Sequence, residues 1–225
     1  MTNPWQQQHL QNRAVIFDLD GTLVDSAPSI LASLGHSFSA QNVIPSSALQ
    51  ASIIGPPLQE TVQCLAPQLA QDEIKHIIEA FKQHYDTSGY LQTEAFAGAE
   101  TMLQQLQDAR LNLAIVTNKR AKPTRLIVQH LGWQNFFAHI YSPDSFSPTV
   151  TSKAELIGLL LQHTGWQPVN CLYIGDRLED WQSAQSNCVR FGWAQWGFSQ
   201  DDLHFDDDSF VLGKPDPTAI LKQLH

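Results

Sequence analysis

Four apolar residues, Ala14-Val15-Ile16-Phe17, run directly into Asp18-Leu19-Asp20-Gly21-Thr22. An unbroken apolar run of this length reads as a strand buried on both faces. That implies a parallel sheet covered by helices on either side. Residues i and i+2 of a strand point the same way, so Asp18 and Asp20 are presented together. They stand at the carboxyl end of the strand, where open α/β sheets bind ligands. Gly21 allows the sharp turn that follows. Two like charges this close are costly unless a cation or a shared proton relieves them.

The same pattern recurs down the chain. Leu113-Ala114-Ile115-Val116 and Cys171-Leu172-Tyr173-Ile174 are further buried-strand runs, with Phe137 to Tyr141 and Val189-Arg190-Phe191 as weaker ones. Helical stripes lie between them. Met102, Leu103, Leu106 and Ala109 share one face, as do Leu126, Ile127, His130 and Leu131 before Gly132. Ser152 and Glu155 form a capping box ahead of Leu156, Ile157, Leu159 and Leu160, and Gly165 ends that helix. Alternating strands and helices imply an α/β fold, a Rossmann-like parallel sheet with right-handed crossovers.

One stretch breaks the alternation. From Ser26 to about Leu91 only helix signals occur. Ser26 is the expected cap of a helix with Pro28 in its first turn. Leu58, Val62 and Leu65 follow at helical spacing, and Ile74, Ile77, Ile78, Phe81 and Tyr85 form the longest stripe. The division expected is a core of residues 1–25 and 92–225 with an all-helical insertion, residues 26–91, whose own core is the Ile74–Tyr85 stripe.

A chain of 225 residues buries roughly 70% of its unfolded surface without any staple. Twenty-two acidic against thirteen basic residues give a net charge of −9. With no basic cluster, binding to nucleic acid or to an anionic membrane surface is disfavoured. Cys64, Cys171 and Cys188 are odd in number and widely spaced, which points to a reduced, cytoplasmic setting. Met1 to Arg13 lacks the form of a secretory signal, and no apolar run is long enough for a membrane span.

A second acid set lies at another strand end, in Gly175-Asp176-Arg177-Leu178-Glu179-Asp180. With a helix starting near Leu178, Asp176 and Asp180 approach one point a turn apart. Four converging carboxylates call for a hard divalent cation, and Mg²⁺ fits best because it takes oxygen ligands while leaving room for water and a phosphate oxygen. Thr117-Asn118 ends another strand with groups that can hydrogen-bond an anion. Lys153 stands near a helix start, where it can screen the carboxylates and a phosphoryl group.

These motifs, in this order, resemble those of the haloacid dehalogenase (HAD) superfamily hydrolases. Within it the likeness is to the phosphoglycolate-phosphatase-like branch that carries a helical cap. It extends to Ile54-Gly55-Pro56-Pro57-Leu58, Phe96-Ala97-Gly98-Ala99 and Trp193-Ala194-Gln195-Trp196-Gly197. The resemblance implies a phosphatase for a small phosphorylated metabolite. Asp18 is then the nucleophile that forms an aspartyl-phosphate. Asp20 is the acid and base, and its backbone carbonyl is a Mg²⁺ ligand. Thr117 holds the phosphoryl group, Lys153 neutralises charge, and Asp18 and Asp176 hold the metal. Asp180 is either a direct ligand or a supporting partner. Thr22, Asn118 and Gly55 are expected on the substrate side. Arg177 either reaches a substrate anion or, as the expected arrangement, forms an outward ion pair with Glu179. The third motif reads Thr151-Ser152-Lys153-Ala154-Glu155, where many relatives have Lys-Pro.

Two other readings share parts of this pattern. A phosphosugar mutase has the same motifs and a helical cap. A phospho-receiver or binding module also phosphorylates an Asp at a strand end, but is shorter and lacks an acid two residues on. Trp193 and Trp196 are expected to pack the sheet edge, and Asp206-Asp207-Asp208 to form a solvated loop.

Overall fold

A computed structural model describes residues 13–199 and 208–224. Asp206 and Asp207 of the expected acidic loop, and all but the last residue of the Met1 to Arg13 segment, lie outside the described residues. Six strands form one sheet: β1 (Ala14–Phe17), β4 (Asn112–Val116), β5 (His139–Tyr141), β6 (Cys171–Gly175), β7 (Arg190–Ala194) and β8 (Phe210–Leu212). Their order is β5-β4-β1-β6-β7-β8, and every neighbouring pair is parallel. The fold is α/β, with β1 flanked by β4 and β6.

Both faces of the sheet are dry, which is why its central strands read as continuous apolar runs. Val15, Phe17, Leu113, Ile115, Leu172 and Ile174 point into one core. Helices α4 (Ala99–Asp108), α5 (Ala121–His130) and α8 (Pro217–Gln223) supply its other wall through Met102, Leu103, Ile127 and Ile220. Ala14, Ile16, Ala114, Val116, Cys171 and Tyr173 face the opposite way, against α6 (Lys153–Thr164) and α7 (Leu178–Gln185). Each large side chain so buried contributes about 1.5–3 kcal/mol.

Between β2 (Val24–Asp25) and β3 (Glu94–Ala95) every regular element is helical: α1 (Ala27–Ala40), α2 (Leu58–Leu65), α3 (Gln71–Thr87) and two short 3₁₀ turns. Leu34, Phe38, Val62, Ile74, Ile77 and Phe81 pack together there. β2 and β3 pair antiparallel, Val24 with Ala95 and Asp25 with Glu94. The two chain crossings into and out of this segment therefore run side by side.

Three local expectations are corrected. Ser26 does sit at the start of α1, but its hydroxyl makes no cap bond. It donates to Asp20 Oδ1 instead, and the Asp25 carboxylate takes over the cap by accepting the Ala27 N–H at 3.1 Å. β8 was not expected, so the strand ending at Ala194 is not at the sheet edge. Trp193 and Trp196 accordingly do not pack an edge. Their indole N–H groups donate to the carbonyls of Asp176 (3.3 Å) and Thr22 (3.0 Å), tying β7 to both acid-bearing loops. Of the expected Ser152–Glu155 box the Ser152 half is made: its oxygen accepts the Glu155 N–H, and Gly165 ends α6 at a left-handed φ of 71°.

Candidate active site

Strand register brings the acid loops together. Phe17 pairs with Ile115 of β4 and with Ile174 of β6. The next residues along these three strands end at Asp18, Thr117 and Asp176, all on the carboxyl edge. The Asp18 N–H extends the ladder by donating to the Ile174 carbonyl at 2.9 Å. The chain then turns tightly, with the Leu19 carbonyl accepting N–H groups from Thr22, Leu23 and Val24. Gly21 makes this possible with φ +83°, and a Cβ there would press on the Asp176 carboxylate at 2.5 Å. The turn and the second acid loop thus touch across a gap only glycine leaves open.

Asp18, Asp176 and Asp180 each offer an oxygen, all within 4.8 Å of one another, and all three are buried. One cation is among them. Lys153 is the first residue of α6, so the Ser152 cap fixes where it enters the sheet. Its Nζ lies 3.2 Å from Asp18 Oδ2 and 2.5 Å from Asp180 Oδ1. Burial opposes the Lys153 charge, but Asp18 and Asp180 more than offset it and hold the ammonium protonated. The opposite holds for the acids. Burial, then the Asp180 and Asp20 charges, push Asp18 up to about 6, with Lys153 pulling it down. Burial, then Asp180 and Asp18, push Asp176 up to about 7, with Arg177 pulling it down. Three carboxylates against the Lys153 ammonium and the Arg177 charge that acts on Asp176 still leave an excess of negative charge in a dry place.

The acids are not equally engaged. Asp180 Oδ2 accepts the backbone N–H groups of Asp176 (3.1 Å) and Arg177 (3.0 Å), while its Oδ1 takes Lys153 and, at 3.4 Å, the Tyr173 hydroxyl. Asp176 accepts Phe198 N–H at 2.8 Å and Thr22 Oγ1 at 3.5 Å. Asp18 Oδ1 is buried with no partner among the described residues. An orphaned carboxylate oxygen beside two further acids is the donor set a hard divalent cation takes. The residues present fit such an ion, with Asp18 and Asp176 as its carboxylates.

Asp20 is not one of those three acids, though its charge acts on Asp18. Its carboxylate accepts from Ser26 and from Lys119 Nζ, at 2.9 and 3.1 Å to the two oxygens. Lys119 is nearly buried, 4.7 Å above the centroid of the Tyr85 ring on α3. Burial opposes its charge as well, and Asp20 and Tyr85 outweigh that effect. Sequence reasoning missed Lys119, although it stands two residues after Thr117 in the same loop. Thr117 is buried, and its Oγ1 accepts the Lys119 N–H at 3.2 Å. The next residue, Arg120, clamps Asp86 of α3 through two bonds of 3.0 and 2.7 Å.

The expected outward pair of Arg177 with Glu179 is not made. Glu179 accepts from Asn118 Nδ2 at 3.0 Å, and Arg177 packs on Gly55 instead. Asn118 is therefore turned toward a rim carboxylate in this state. The structure so gathers Asp18, Thr22, Lys153, Asp176 and Asp180 into one cluster, sets Asp20 beside it with Lys119, and brings Gly55 and Arg177 together.

Lys153→Met is expected to destabilise the fold by about 3–5 kcal/mol, because it leaves buried carboxylates without their cation. The cost should be larger at pH 8 than at pH 5, since Asp18 and Asp176 can take up protons at the lower pH. Urea titrations at both pH values measure this. An equal cost at the two would contradict the assigned charge balance.

The profile of the haloacid dehalogenase-like hydrolases matches residues 15–194. A phosphoglycolate phosphatase of Xylella fastidiosa is 32% identical over 213 residues, covering 91% of this chain and 93% of its own. A 5′-nucleotidase of Pseudomonas aeruginosa is 30% identical over 191 residues, covering 84% and 85%. Among solved structures, a haloacid dehalogenase-like hydrolase from Streptococcus pneumoniae superposes with TM-score 0.78 at 26% identity, over 96% of this chain and 99% of that one. No helix among the described residues is long and apolar enough to cross a membrane.

Proposed function

Because the chain belongs to the haloacid dehalogenase-like hydrolases, we propose that it is a Mg²⁺-dependent phosphatase for a small phosphate monoester, working through an aspartyl-phosphate on Asp18. The observation that carries this reading is Asp18 itself. It is a buried carboxylate at the end of a central strand, with one oxygen 3.2 Å from Lys153 and the other unpartnered. The named activities of the relatives, on phosphoglycolate and on 5′-nucleotides, support the same chemistry.

In the first step an oxygen of Asp18 attacks phosphorus and the ester P–O bond breaks. Asp20 gives its proton to the leaving alcohol oxygen. In the second step Asp20 takes a proton from water as that water attacks phosphorus, and the Asp18–phosphorus bond breaks. Thr117 and Lys153 position and neutralise the phosphoryl oxygens. A divalent cation held by Asp18, Asp176 and the Asp20 carbonyl would offset the excess negative charge as the anionic substrate arrives. Asp180, with both oxygens engaged, serves best as the strut that fixes Lys153 and the Asp176 loop. Lys119 and Ser26 orient Asp20.

Residues 26–91 act in this reading as a cap over a core of residues 1–25 and 92–225. Its closure would exclude water and complete the substrate site. The paired crossings β2 and β3 are the natural hinge. Three unpaired cysteines, Cys64, Cys171 and Cys188, suit a reduced cytoplasmic compartment.

The test is release of inorganic phosphate from a panel of monoesters with Mg²⁺, before and after chelation. Turnover that survives exhaustive chelation would sink the metal requirement. Thermal melts supply a second readout. Asp18 and Asp176 titrate near 6 and 7 when folded, against 3.8 as the ordinary value. The folded state therefore binds more protons over that window. Metal-free protein is expected to lose stability as pH rises from about 4 to 7. Added Mg²⁺ should raise Tm more at pH 8 than at pH 5, because protons compete for the same oxygens. A shift independent of pH would contradict this ligand set.

A further inference from the structure

We propose that Arg177 is the anchor for a second anionic group, so that the favoured substrate is a phosphate monoester bearing a carboxylate or another phosphate away from the scissile one. The inference rests on the phosphatase reading and narrows its substrate class. Arg177 stands between Asp176 and Asp180, at the start of α7, with its backbone N–H fixed by Asp180 at 3.0 Å. Its backbone is thus tied directly to the acid cluster. Its side chain lies against Gly55. Gly55 has φ +129°, and a Cβ there would overlap the guanidinium. The Gly55-Pro56-Pro57 loop is therefore shaped around Arg177, and the two meet where the helical segment covers the acid-bearing loops.

The guanidinium makes no salt bridge among the described residues, although its charge acts on Asp176. Its Nη2 is buried and makes no hydrogen bond among the described residues. Glu179, two residues on, is taken by Asn118. A guanidinium stays charged at any working pH, and leaving a buried donor unpaired is costly. Its planar fork matches a carboxylate or phosphate through paired N–H groups. The unfilled donor belongs to the residue next to Asp176 in sequence, and its charge acts on that carboxylate, which sets it on the substrate side of the acid cluster. A nucleoside 5′-monophosphate offers no second anion and makes poorer use of it.

The experiment compares kcat/KM for 2-phosphoglycolate, fructose 1,6-bisphosphate, ethyl phosphate and a nucleoside 5′-monophosphate, in wild type, Arg177→Ala and Arg177→Lys. Phosphate release from ethyl phosphate by wild type tests the phosphatase reading alone. The anchor is tested by ratios. Wild type should favour a substrate with a second anion. Arg177→Ala should lower the ratio of that kcat/KM to the ethyl phosphate value by about 10- to 100-fold, mostly through KM. Arg177→Lys should recover part of it, since it keeps the charge but not the fork. Whether the carboxylate or the bisphosphate loses more tells which anion is read. Should Arg177→Ala fail to fold, Gly55→Ala, which displaces the guanidinium, should lower the same ratio. Equal losses across the panel, no wild-type preference, or a loss confined to the nucleotide would each overturn the anchor.

Discussion

Asp18→Asn is expected to lower kcat by at least about 10⁴, the scale seen when a covalent nucleophile is removed. The amide is nearly the same size as the carboxylate but cannot form the acyl phosphate. The fold should persist, because Lys153 keeps Asp180 as a partner at 2.5 Å. Stability should even rise in chelator at pH 8. Burial and like charges hold the Asp18 carboxyl up to about 6, so at that pH its negative charge works against folding. Circular dichroism and a thermal melt check the fold, and phosphate release checks the rate. Retention of more than a few per cent of activity would place the nucleophile elsewhere.

Asp20→Asn should slow turnover by about 10²–10⁴, the usual scale of general acid–base help. The loss should depend on the leaving group. An alkyl phosphate needs a proton on its departing oxygen, and p-nitrophenyl phosphate does not. With the latter the first step survives and the second does not, so phosphoenzyme should accumulate. A burst of nitrophenol followed by slow turnover is the signature, and a first step slowed equally for both esters would contradict the acid role. Phosphate migration without release, with sugar phosphates as substrates, would point to a mutase.

The central sheet was legible because both of its faces are dry. Ala14–Phe17 has no solvent-facing position, so nothing interrupts its apolar run. β8 was not legible for the converse reason. It has three residues, lies at the edge, and exposes Val211 to solvent. The acid cluster was legible because strand register alone carries Asp18 and Asp176 to one edge. Contacts between chemically ambiguous side chains were not. Ser26 has the residue type of a helix cap, but an acid six residues earlier takes its hydroxyl. Lys119 shows no local pattern, and its partner Asp20 lies 99 residues away in sequence. For Arg177, nearby Glu179 suggested an ion pair. The deciding fact is the missing Cβ of Gly55, from a different part of the chain. Trp193 and Trp196 were read by their apolar bulk, whereas their N–H groups brace the two acid loops.

The claim on which the rest depends is that Asp18 becomes phosphorylated. Asp20→Asn protein mixed with p-nitrophenyl phosphate and Mg²⁺, quenched in acid and digested at low pH, should yield a phosphorylated peptide spanning Asp18, with fragmentation placing the group on that residue. The same treatment of the Asp18→Asn, Asp20→Asn double variant should yield none. Nitrophenol release with no phosphoryl group on Asp18, or with the group on another side chain, would contradict the account.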